Sequence, residues 1–378
     1  MAERVVPSYP EDSVPISGLD EFQSHLQLLE NDPSIPFNLK LFDDIELQLT
    51  ADHTLHRDQH PTSATNHPPT THANPQKHNS RSLPSPFPHH QTSLSAILHK
   101  HTRHSGPPSI LTALASPLPG ANLLALAILH KAAKSPSDAA ILSTLPEVVE
   151  ELVRRWLDSP DVSVGERAAK VLGDILETDC EVIPGEGVNG VGSQINVNGT
   201  EIVKRRVPGH ARLWRFILLE RPILSLIKSF CSPETADPPT RSSRQISLSQ
   251  GRLLRLLIRL ATLDIRAINR TAFPDLFELP SHVVQVAGQG LLQWAAIAMV
   301  DKSDDILMHL TLIDFFESFV SIMRVSSRST EEETTVKNLV RAAVHDDAQL
   351  NEALRSLPDR TVEEEAEPLR KYIAEILG

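Results

Sequence analysis

The sequence predicts an all-α protein, and in particular an α-solenoid of the HEAT or armadillo type with a disordered His/Pro-rich insertion near its N-terminus. Leu and Ala supply most of the apolar content, and aromatic residues make up only 4% of the 378 residues. Such a composition favours packed helices over β-sandwiches and barrels. Two amphipathic stretches, 145–157 and 161–177, are joined by a short polar corner, and the pattern of the second stretch returns 144 positions downstream at 305–320. Repetition of a helical pair along a chain is typical of a solenoid.

The helix predicted at 161–177 has one apolar face and one polar face. Its apolar or small residues recur at intervals of three and four, which is the spacing of an amphipathic helix. They are Val164, Ala168, Val171, Leu172, Ile175 and Leu176. Two helices joined by a corner of Pro and Asp are typical of a HEAT or armadillo repeat, although an ordinary antiparallel hairpin of another α-fold has the same outline.

The stretch 305–320 repeats this pattern position by position. The pairs are Val162 with Ile306, Val164 with Met308, Ala168 with Leu312, Leu172 with Phe316, and Ile175 with Phe319. This stretch also follows an apolar helix, predicted from Val283 to Val300, and a polar corner at 301–304. The spacing between the two copies accommodates three to four repeats of roughly 40 residues each.

The chain before the solenoid divides into two segments of contrasting composition. Apolar residues at helical spacing predict a helical hairpin over 16–51. Segment 52–92 then carries eight His and seven Pro with almost no large apolar residues. It cannot bury enough apolar surface to offset its chain entropy, so we predict that it is disordered. Because its imidazoles are scattered among prolines, we predict no metal site there.

The solenoid is predicted over 93–330 and a C-terminal helical cap over 331–378. Further helices are predicted at 118–133, 209–220 and 252–260 and, in the cap, near 332–345, 346–357 and 362–377. A Gly-rich loop at 181–203 and a polar connector at 232–247 are predicted between helices. The cap is more acidic and less apolar than the rest, as expected for the end of a solenoid.

The sequence contains no pattern typical of a nucleotide-binding loop, a serine hydrolase or a zinc protease. The glycines at 185–192 are not followed by the Lys and Ser/Thr of a phosphate-binding loop. Cys180 and Cys231 are too few for a disulfide framework or for a zinc site without other ligands. A nucleophilic Cys would further need a His and an electropositive setting. We therefore predict no catalytic residues, no cofactor and no metal.

The net charge of −12 excludes a chain whose whole surface binds nucleic acid. A local exception is a basic stripe of Arg252, Arg255 and Arg259, spaced three and four apart on one predicted helix. Phosphate contact is one interpretation of this stripe. The favoured interpretation is a solvated helix face that pairs with acidic residues of the neighbouring helix.

Localisation is predicted from two further features. No apolar run reaches about 18 residues, the length of a membrane-spanning helix, and the N-terminus lacks the apolar core of a signal peptide. We expect a soluble protein of the cytoplasm or the nucleus.

Family resemblance is concentrated in three segments: Gly209-His-Ala-Arg-Leu-Trp-Arg-Phe-Ile, Gln293-Trp-Ala-Ala-Ile-Ala-Met-Val-Asp-Lys, and Asp304-Asp-Ile-Leu-Met-His-Leu-Thr-Leu-Ile-Asp-Phe-Phe-Glu. With these segments the chain resembles, over roughly 94–325, a fungal family named for DNA mismatch repair that is similar to the animal proteasome non-ATPase regulatory subunit 5. The resemblance implies a non-catalytic HEAT/armadillo-like assembly chaperone for the base of the 19S regulatory particle of the 26S proteasome. Such a chaperone holds the C-terminal subdomain of an ATPase subunit and leaves before the mature particle forms.

The residues independently suggest protein binding, because a solenoid presents its row of second helices as a broad concave surface. The candidate groove side chains are Glu166, Lys170 and Asp174 on one helix and His309, Asp314 and Glu317 on the other. Glu166 and Asp174 are predicted to be exposed charges. Reversing both is therefore expected to weaken partner binding and to leave the fold intact.

Two other functions share the same fold class. A scaffold in DNA mismatch repair or the DNA damage response would use the basic stripe defined above. A transport adaptor of the importin type would use Trp/Asn pairs, but Trp156, Trp214 and Trp294 have no downstream Asn at helical spacing. The sequence therefore favours the chaperone, with the repair scaffold as the alternative.

Overall fold

The computed structural model of the protein describes residues 107–181, 208–233, 240–326 and 328–378, together with single positions between residues 17 and 44. Within these residues the regular structure is helical and no strand is present. The prediction of an all-α protein is therefore confirmed. By its internal contacts the chain divides into two units, Met1–Thr92 and Ser93–Gly378.

The N-terminal unit is described at a few positions only. Residues 21–28 and 40–44 include helical positions, and Leu41 is buried. The backbone N–H of Asn38 donates to His25 Nε2 over 3.1 Å, and Asn38 Oδ1 accepts from Leu41 N over 3.2 Å. The hairpin over 16–51 remains a prediction. The segment predicted to be disordered, 52–92, lies outside the described residues.

The second unit contains fourteen α-helices in its described part. They are α1 (Pro107–Ala115), α2 (Pro119–Leu129), α3 (Pro136–Leu142), α4 (Pro146–Asp158), α5 (Val162–Asp179), α6 (Arg212–Leu219), α7 (Arg221–Cys231), α8 (Ser243–Asn269), α9 (Ser281–Ala287), α10 (Leu291–Ile297), α11 (Ile306–Val325), α12 (Thr330–His345), α13 (Ala348–Ser356) and α14 (Glu363–Leu377). Short 3₁₀ helices follow α2, α8 and α13, at His130–Lys134, Pro274–Leu276 and Leu357–Arg360.

Local sequence explains where these helices begin. Asp161 and Asp305 each accept a hydrogen bond from the N–H three residues on, over 3.1 and 2.9 Å, and so cap α5 and α11. Helices α8 and α12 each begin with a capping box in which side chain and backbone bond reciprocally. Pro stands in the first turn of α2, α3, α4 and α7, where the missing N–H costs nothing.

The two helices matched in sequence, α5 and α11, share their burial as well as their caps. The first pair, Val162 and Ile306, is exposed in both helices, at 62% and 69%. The four later pairs are buried in both, and so is the whole predicted apolar face of α5. The internal similarity is therefore present in the structure as well as in the sequence.

Helices α5, α8 and α11 lie side by side in chain order, and we call these three helices the second-helix layer. Helix α5 packs against α8, α8 against α11, and α11 against α13 and α14. Helix α4 packs against α7, and α10 packs against α12. One continuous cluster of buried apolar side chains runs from α1 to α14. This order places the candidate groove residues of α5 and α11 on either side of α8.

The Gly-rich loop predicted at 181–203 lies, apart from Glu181, outside the described residues, but the structure shows what joins α5 to α6. The buried Asp179 carboxylate accepts from the backbone N–H of Leu213 over 2.7 Å and caps α6. Trp214 Nε1 donates to the Leu176 carbonyl over 2.7 Å. Gly209 is needed beside Asp179, because a Cβ there would overlap the Asp179 backbone.

The apolar helix predicted from Val283 to Val300 is two helices, α9 and α10, and the prediction of one helix is wrong. Gly288 adopts φ 80° and ψ −166°, a conformation essentially restricted to glycine, which ends α9. Gly290 lies against the end of α8, where a Cβ would approach the Asn269 carbonyl carbon to 2.6 Å. The break lets the chain pass closely over α8.

Helix α8 is longer than the predicted 252–260 and begins inside the stretch predicted as a polar connector, 232–247. Its capping box uses Ser242 and Gln245, so polar residues there start a helix instead of preventing one. Asp264 interrupts the helix with φ −156° and ψ 91°, and its carboxylate accepts from the N–H groups of Arg266 and Ala267. The carboxylate thereby restarts the helix as an internal cap.

Other predicted boundaries shift by a few residues. The helix predicted at 118–133 becomes α2 and the 3₁₀ helix that follows it. The helix predicted at 209–220 is α6, and the extended Glu220 separates it from α7, in which Pro222 lies in the first turn. Helices α1 and α3 were not predicted. The three predicted helices of the cap correspond to α12, α13 and α14.

Helix α11 is long enough and apolar enough, by length and composition alone, to cross a membrane. Asp314 and Glu317 interrupt the apolar sequence of this helix, so it is not an unbroken apolar run of about 18 residues. Its buried face packs against α8, α13 and α14, and a core helix passes the same test. The hydropathy of α11 by itself therefore does not assign it to a membrane.

Candidate partner-binding surface

The candidate groove residues of α5 include one that is tied into the fold. Asp174 Oδ2 lies 2.7 Å from His130 Nε2 and 3.1 Å from Lys170 Nζ, and its Oδ1 accepts from Arg259 over 2.6 Å. The Asp174 side chain is only 19% exposed. The expectation that Asp174 is a free surface charge is wrong, because a Lys at this position would face three cationic or protonatable groups.

Electrostatics at this cluster follow from burial and from the hydrogen bonds. Burial raises the pKa of Asp174, but hydrogen bonds from Arg259, Lys170 and His130 outweigh it and hold the pKa below its ordinary value. Burial lowers the pKa of His130 and exceeds the opposing effect of Asp174. The cluster thus combines an ionised carboxylate with an imidazole that resists protonation.

Glu166 and Lys170 remain at the surface of α5. Glu166 makes an ion pair of 2.8 Å with Arg255 of α8, and both side chains are about half exposed, at 47% and 60%. Exposed pairs of this kind contribute little to stability. Glu166 and Arg255 can therefore exchange their pairing with each other for contacts with an external partner at small cost.

The basic stripe of α8 is not a row of free cations. Arg252 is buried and donates to the carbonyls of Leu157 and Ser159 over 3.0 and 2.8 Å, at the C-terminal end of α4. Arg259 pairs with Asp174 and with Glu177, each over 2.6 Å. Burial lowers the pKa of Arg252. Arg252 therefore caps the end of α4 from the interior. It is neither a cation free to contact phosphate nor part of a solvated helix face.

The candidate groove residues of α11 also include some that are paired within the fold and one that is exposed. His309 Nε2 lies 2.9 Å from Asp347 Oδ2, which also contacts Lys302 Nζ over 3.0 Å. Glu317 accepts from Arg360 over 2.5 Å, and its side chain is only 15% exposed. Asp314 is exposed. Of the three, Asp314 presents its carboxylate most fully to an external partner.

Sequence reasoning missed the apolar residues at the start of α11. Ile306, Leu307 and Leu310 are exposed, at 69%, 76% and 45%. The sequence could have indicated them, because in the alignment of the two helices Leu307 corresponds to Ser163 and Leu310 corresponds to Glu166. Apolar residues therefore stand at positions that are polar in the matched helix.

The described residues show what chemistry the remaining groups can support. Both cysteines are buried thiols, and burial strongly raises the pKa of the Cys231 thiol. No group of three or more His, Cys, Asp or Glu within the described stretches could hold a metal ion. The described surface groups named above are charged or apolar side chains, and both kinds occur in protein interfaces.

Comparisons of the chain with protein-family models, with curated proteins and with solved structures found no match.

Proposed function

We propose that this protein is an α-solenoid scaffold of the HEAT/armadillo type that acts, without catalysis, as an assembly chaperone for the base of the 26S proteasome regulatory particle. In this proposal the row of second helices holds the C-terminal subdomain of an ATPase subunit. The observation that carries the scaffold is the side-by-side order of α5, α8 and α11. The family resemblance of the segments at 209–217, 293–302 and 304–317 is the reason for proposing an ATPase subunit as the partner.

The packing supports a solenoid through its repetition. Helices α5 and α11 have matching caps and matching buried positions, and each packs on α8. Repeats that contact mainly their neighbours form extended surfaces without a closed cavity. Such surfaces suit a chaperone, which must cover a broad area of a folded partner and later release it.

Charge at the surface supports recognition that is readily reversible. Glu166, Lys170 and Asp314 are exposed. Exposed charges accelerate association more than they strengthen the final complex. A partner held in this way can be displaced when a larger interface forms during assembly.

The DNA-repair scaffold, the alternative function, requires cations that are free to contact phosphate. Arg252 and Arg259 are instead committed to carbonyls and carboxylates of α4 and α5. Arg255 is exposed but pairs with Glu166. These pairings count against the repair scaffold, and we therefore propose the chaperone in its place.

The experiment is a calorimetric titration of the purified full chain with the isolated C-terminal domain of each ATPase subunit of the base. We expect one of them to bind. The double variant Glu166→Lys, Asp314→Lys should weaken that complex mainly by slowing association, with each charge contributing roughly 0–1 kcal/mol. The matched control is Glu147→Lys, Glu278→Lys, which makes the same change of net charge at exposed positions outside α5, α8 and α11.

Two results would contradict the proposal. If the folded protein binds none of the ATPase domains, the chaperone function is wrong. Salt-sensitive binding to duplex DNA with an affinity on the order of micromolar or tighter, weakened by Arg255→Glu, would instead favour the repair scaffold.

A further inference from the structure

The solvent-facing positions of α5 and α11 differ in kind, although the buried positions correspond. On α5 these positions hold Ser163, Glu166 and Lys170, and the charged ones are paired within the fold. The corresponding positions of α11 hold Leu307, Leu310 and Asp314. Two positions that hold polar side chains with partners in α5 therefore hold exposed Leu side chains in α11.

The exposed apolar side chains at the start of α11 form one continuous patch. Ile306 and Leu310 are four residues apart and Leu307 and Leu310 three apart, so they are neighbours on the helix surface. They lie in the first two turns of α11, which Asp305 fixes by capping the helix and by accepting from Ser247 of α8 over 2.8 Å. We call Ile306, Leu307 and Leu310 the α11 patch. It is held on a rigid element and has apolar side chains at helical spacing.

Two exposed carboxylates lie beside the α11 patch. Asp304, just before the helix, and Asp314, one turn after Leu310, are both exposed. Arg360, the cation that interacts with Asp314, is ion-paired with Glu317. Lys302 and His309, on the adjoining side, both contact the buried Asp347 carboxylate. Lys302, His309 and Arg360 are therefore each paired with a carboxylate of the fold, while the carboxylates of Asp304 and Asp314 are exposed.

We propose that the α11 patch is the docking site for an amphipathic helix of a partner protein, one that presents large apolar side chains flanked by Lys or Arg. Apolar residues three and four apart on α11 fit the apolar stripe of a second helix. The exposed carboxylates of Asp304 and Asp314 fit cations at the edges of that stripe. This inference rests on the proposed function, because it names the chemistry of the partner segment that the same surface holds.

Negative charge also distinguishes this occupant from two others. A second copy of the chain would bring its own Asp304 and Asp314 towards these carboxylates, and like charges oppose association. A membrane surface carries anionic or neutral headgroups, which the same acids do not attract. A basic amphipathic helix can contact the apolar side chains of the α11 patch and pair its cations with the carboxylates of Asp304 and Asp314.

The test uses the full chain and a fluorescently labelled synthetic helix of Leu and Lys, about 14 residues long, with Leu at helical spacing. A second peptide carries Glu in place of every Lys. Fluorescence anisotropy should show the Leu/Lys peptide binding at least about tenfold more tightly than the Leu/Glu peptide. Leu307→Ser, Leu310→Ser should weaken the Leu/Lys peptide roughly tenfold or more.

Two further variants separate the apolar and the charged contributions. Asp304→Asn, Asp314→Asn should remove most of the preference for Lys over Glu. Ile322→Ser, Val325→Ser is the matched control, because it removes two exposed apolar side chains from the other end of the same helix. This control should bind the Leu/Lys peptide as the wild type does.

The proposal is overturned if Leu307→Ser, Leu310→Ser binds the Leu/Lys peptide unchanged. It is also overturned if sedimentation shows a dimer that this variant abolishes, or if phosphatidylcholine vesicles bind the wild type and not the variant. Failure here is distinct from failure of the chaperone function. An ATPase domain that binds wild type and patch variant equally refutes the docking site alone, whereas peptide binding without any ATPase binding refutes the chaperone alone.

Discussion

At the scale of single residues, several charged side chains of the described second unit are held by partners within the fold. Asp174, Asp347 and Arg252 are polar groups on or near the second-helix layer, yet each is committed to partners on another helix or turn. A buried or half-buried charge with several hydrogen bonds is costly to disturb. Substitutions at these residues should therefore change stability before they change binding.

The pair of His130 and Asp174 makes stability depend on pH. Burial places the pKa of folded His130 below its ordinary value of 6.5, so the unfolded chain takes up the proton first as the pH falls. Protonation therefore favours unfolding, and the free energy of unfolding should decrease as the pH falls below about 6.5. The variant His130→Gln should show a shallower dependence, by less than about 1.4 kcal/mol over one pH unit for a single proton.

Chemical denaturation between neutral and mildly acidic pH measures this effect. The control is His345→Gln, because the His345 side chain is 73% exposed. Identical slopes for wild type and His130→Gln would show that the imidazole is not protected from protonation in the folded state.

Arg252 should be the most sensitive member of the basic stripe. The change Arg252→Met removes its hydrogen bonds to the Leu157 and Ser159 carbonyls and leaves those buried acceptors unsatisfied, which we expect to cost about 2–4 kcal/mol. The matched change Arg255→Met removes only an exposed ion pair and should cost no more than about 1 kcal/mol. Guanidinium denaturation compares the two. Equal losses would mean that the capping bonds of Arg252 contribute nothing.

At the scale of elements, the α9–α10 break depends on glycine. Gly288 has a backbone conformation that other residues tolerate poorly, so Gly288→Ala should destabilise the protein by about 1–3 kcal/mol. Gly251 lies within α8 and a Cβ there meets no atom within 4 Å, so Gly251→Ala should stabilise by roughly 0.5–1 kcal/mol. Thermal unfolding checks both changes. Stabilisation by Gly288→Ala would show that a continuous helix at 283–300 is compatible with the fold.

The elements also show which features the sequence predicts. Helices α4 and α5 were predicted nearly to the residue, because the Asp161 cap, the apolar spacing and the polar corner all act within a few positions. The start of α8 was missed, because a capping box of Ser242 and Gln245 resembles any other polar loop until the helix is known to begin there. The α9–α10 break depends on the approach of Gly290 to α8, a contact between distant parts of the chain.

The candidate surface was predictable only in part for the same reason. The position of Glu166 and Asp314 on exposed helix faces follows from periodicity. The burial of Asp174 does not, because Arg259 and His130 reach it from elements far away in sequence. The α11 patch could have been found by comparing the solvent-facing positions of the two copies as well as their buried ones.

At the scale of the whole second unit, side-by-side packing of α5, α8 and α11 creates a layer that differs from the layer of α4 and α7. The α5–α8 part of this layer carries charges that are mostly satisfied within the fold. Its α11 part carries uncovered apolar side chains with acids beside them. Under the proposed function, the charges of α5 and α8 would attract a partner and the apolar side chains of α11 would anchor it.

Hydrogen–deuterium exchange of the full chain, alone and bound to the ATPase domain that it selects, measures this arrangement directly. If the second helices form the binding surface, binding should slow exchange in α11 most strongly and in the exposed parts of α5 and α8 next. Exchange in α4 and α7 should stay unchanged. Protection confined to α4 and α7, or no protection in α11, would contradict the proposal that the second-helix layer holds the partner.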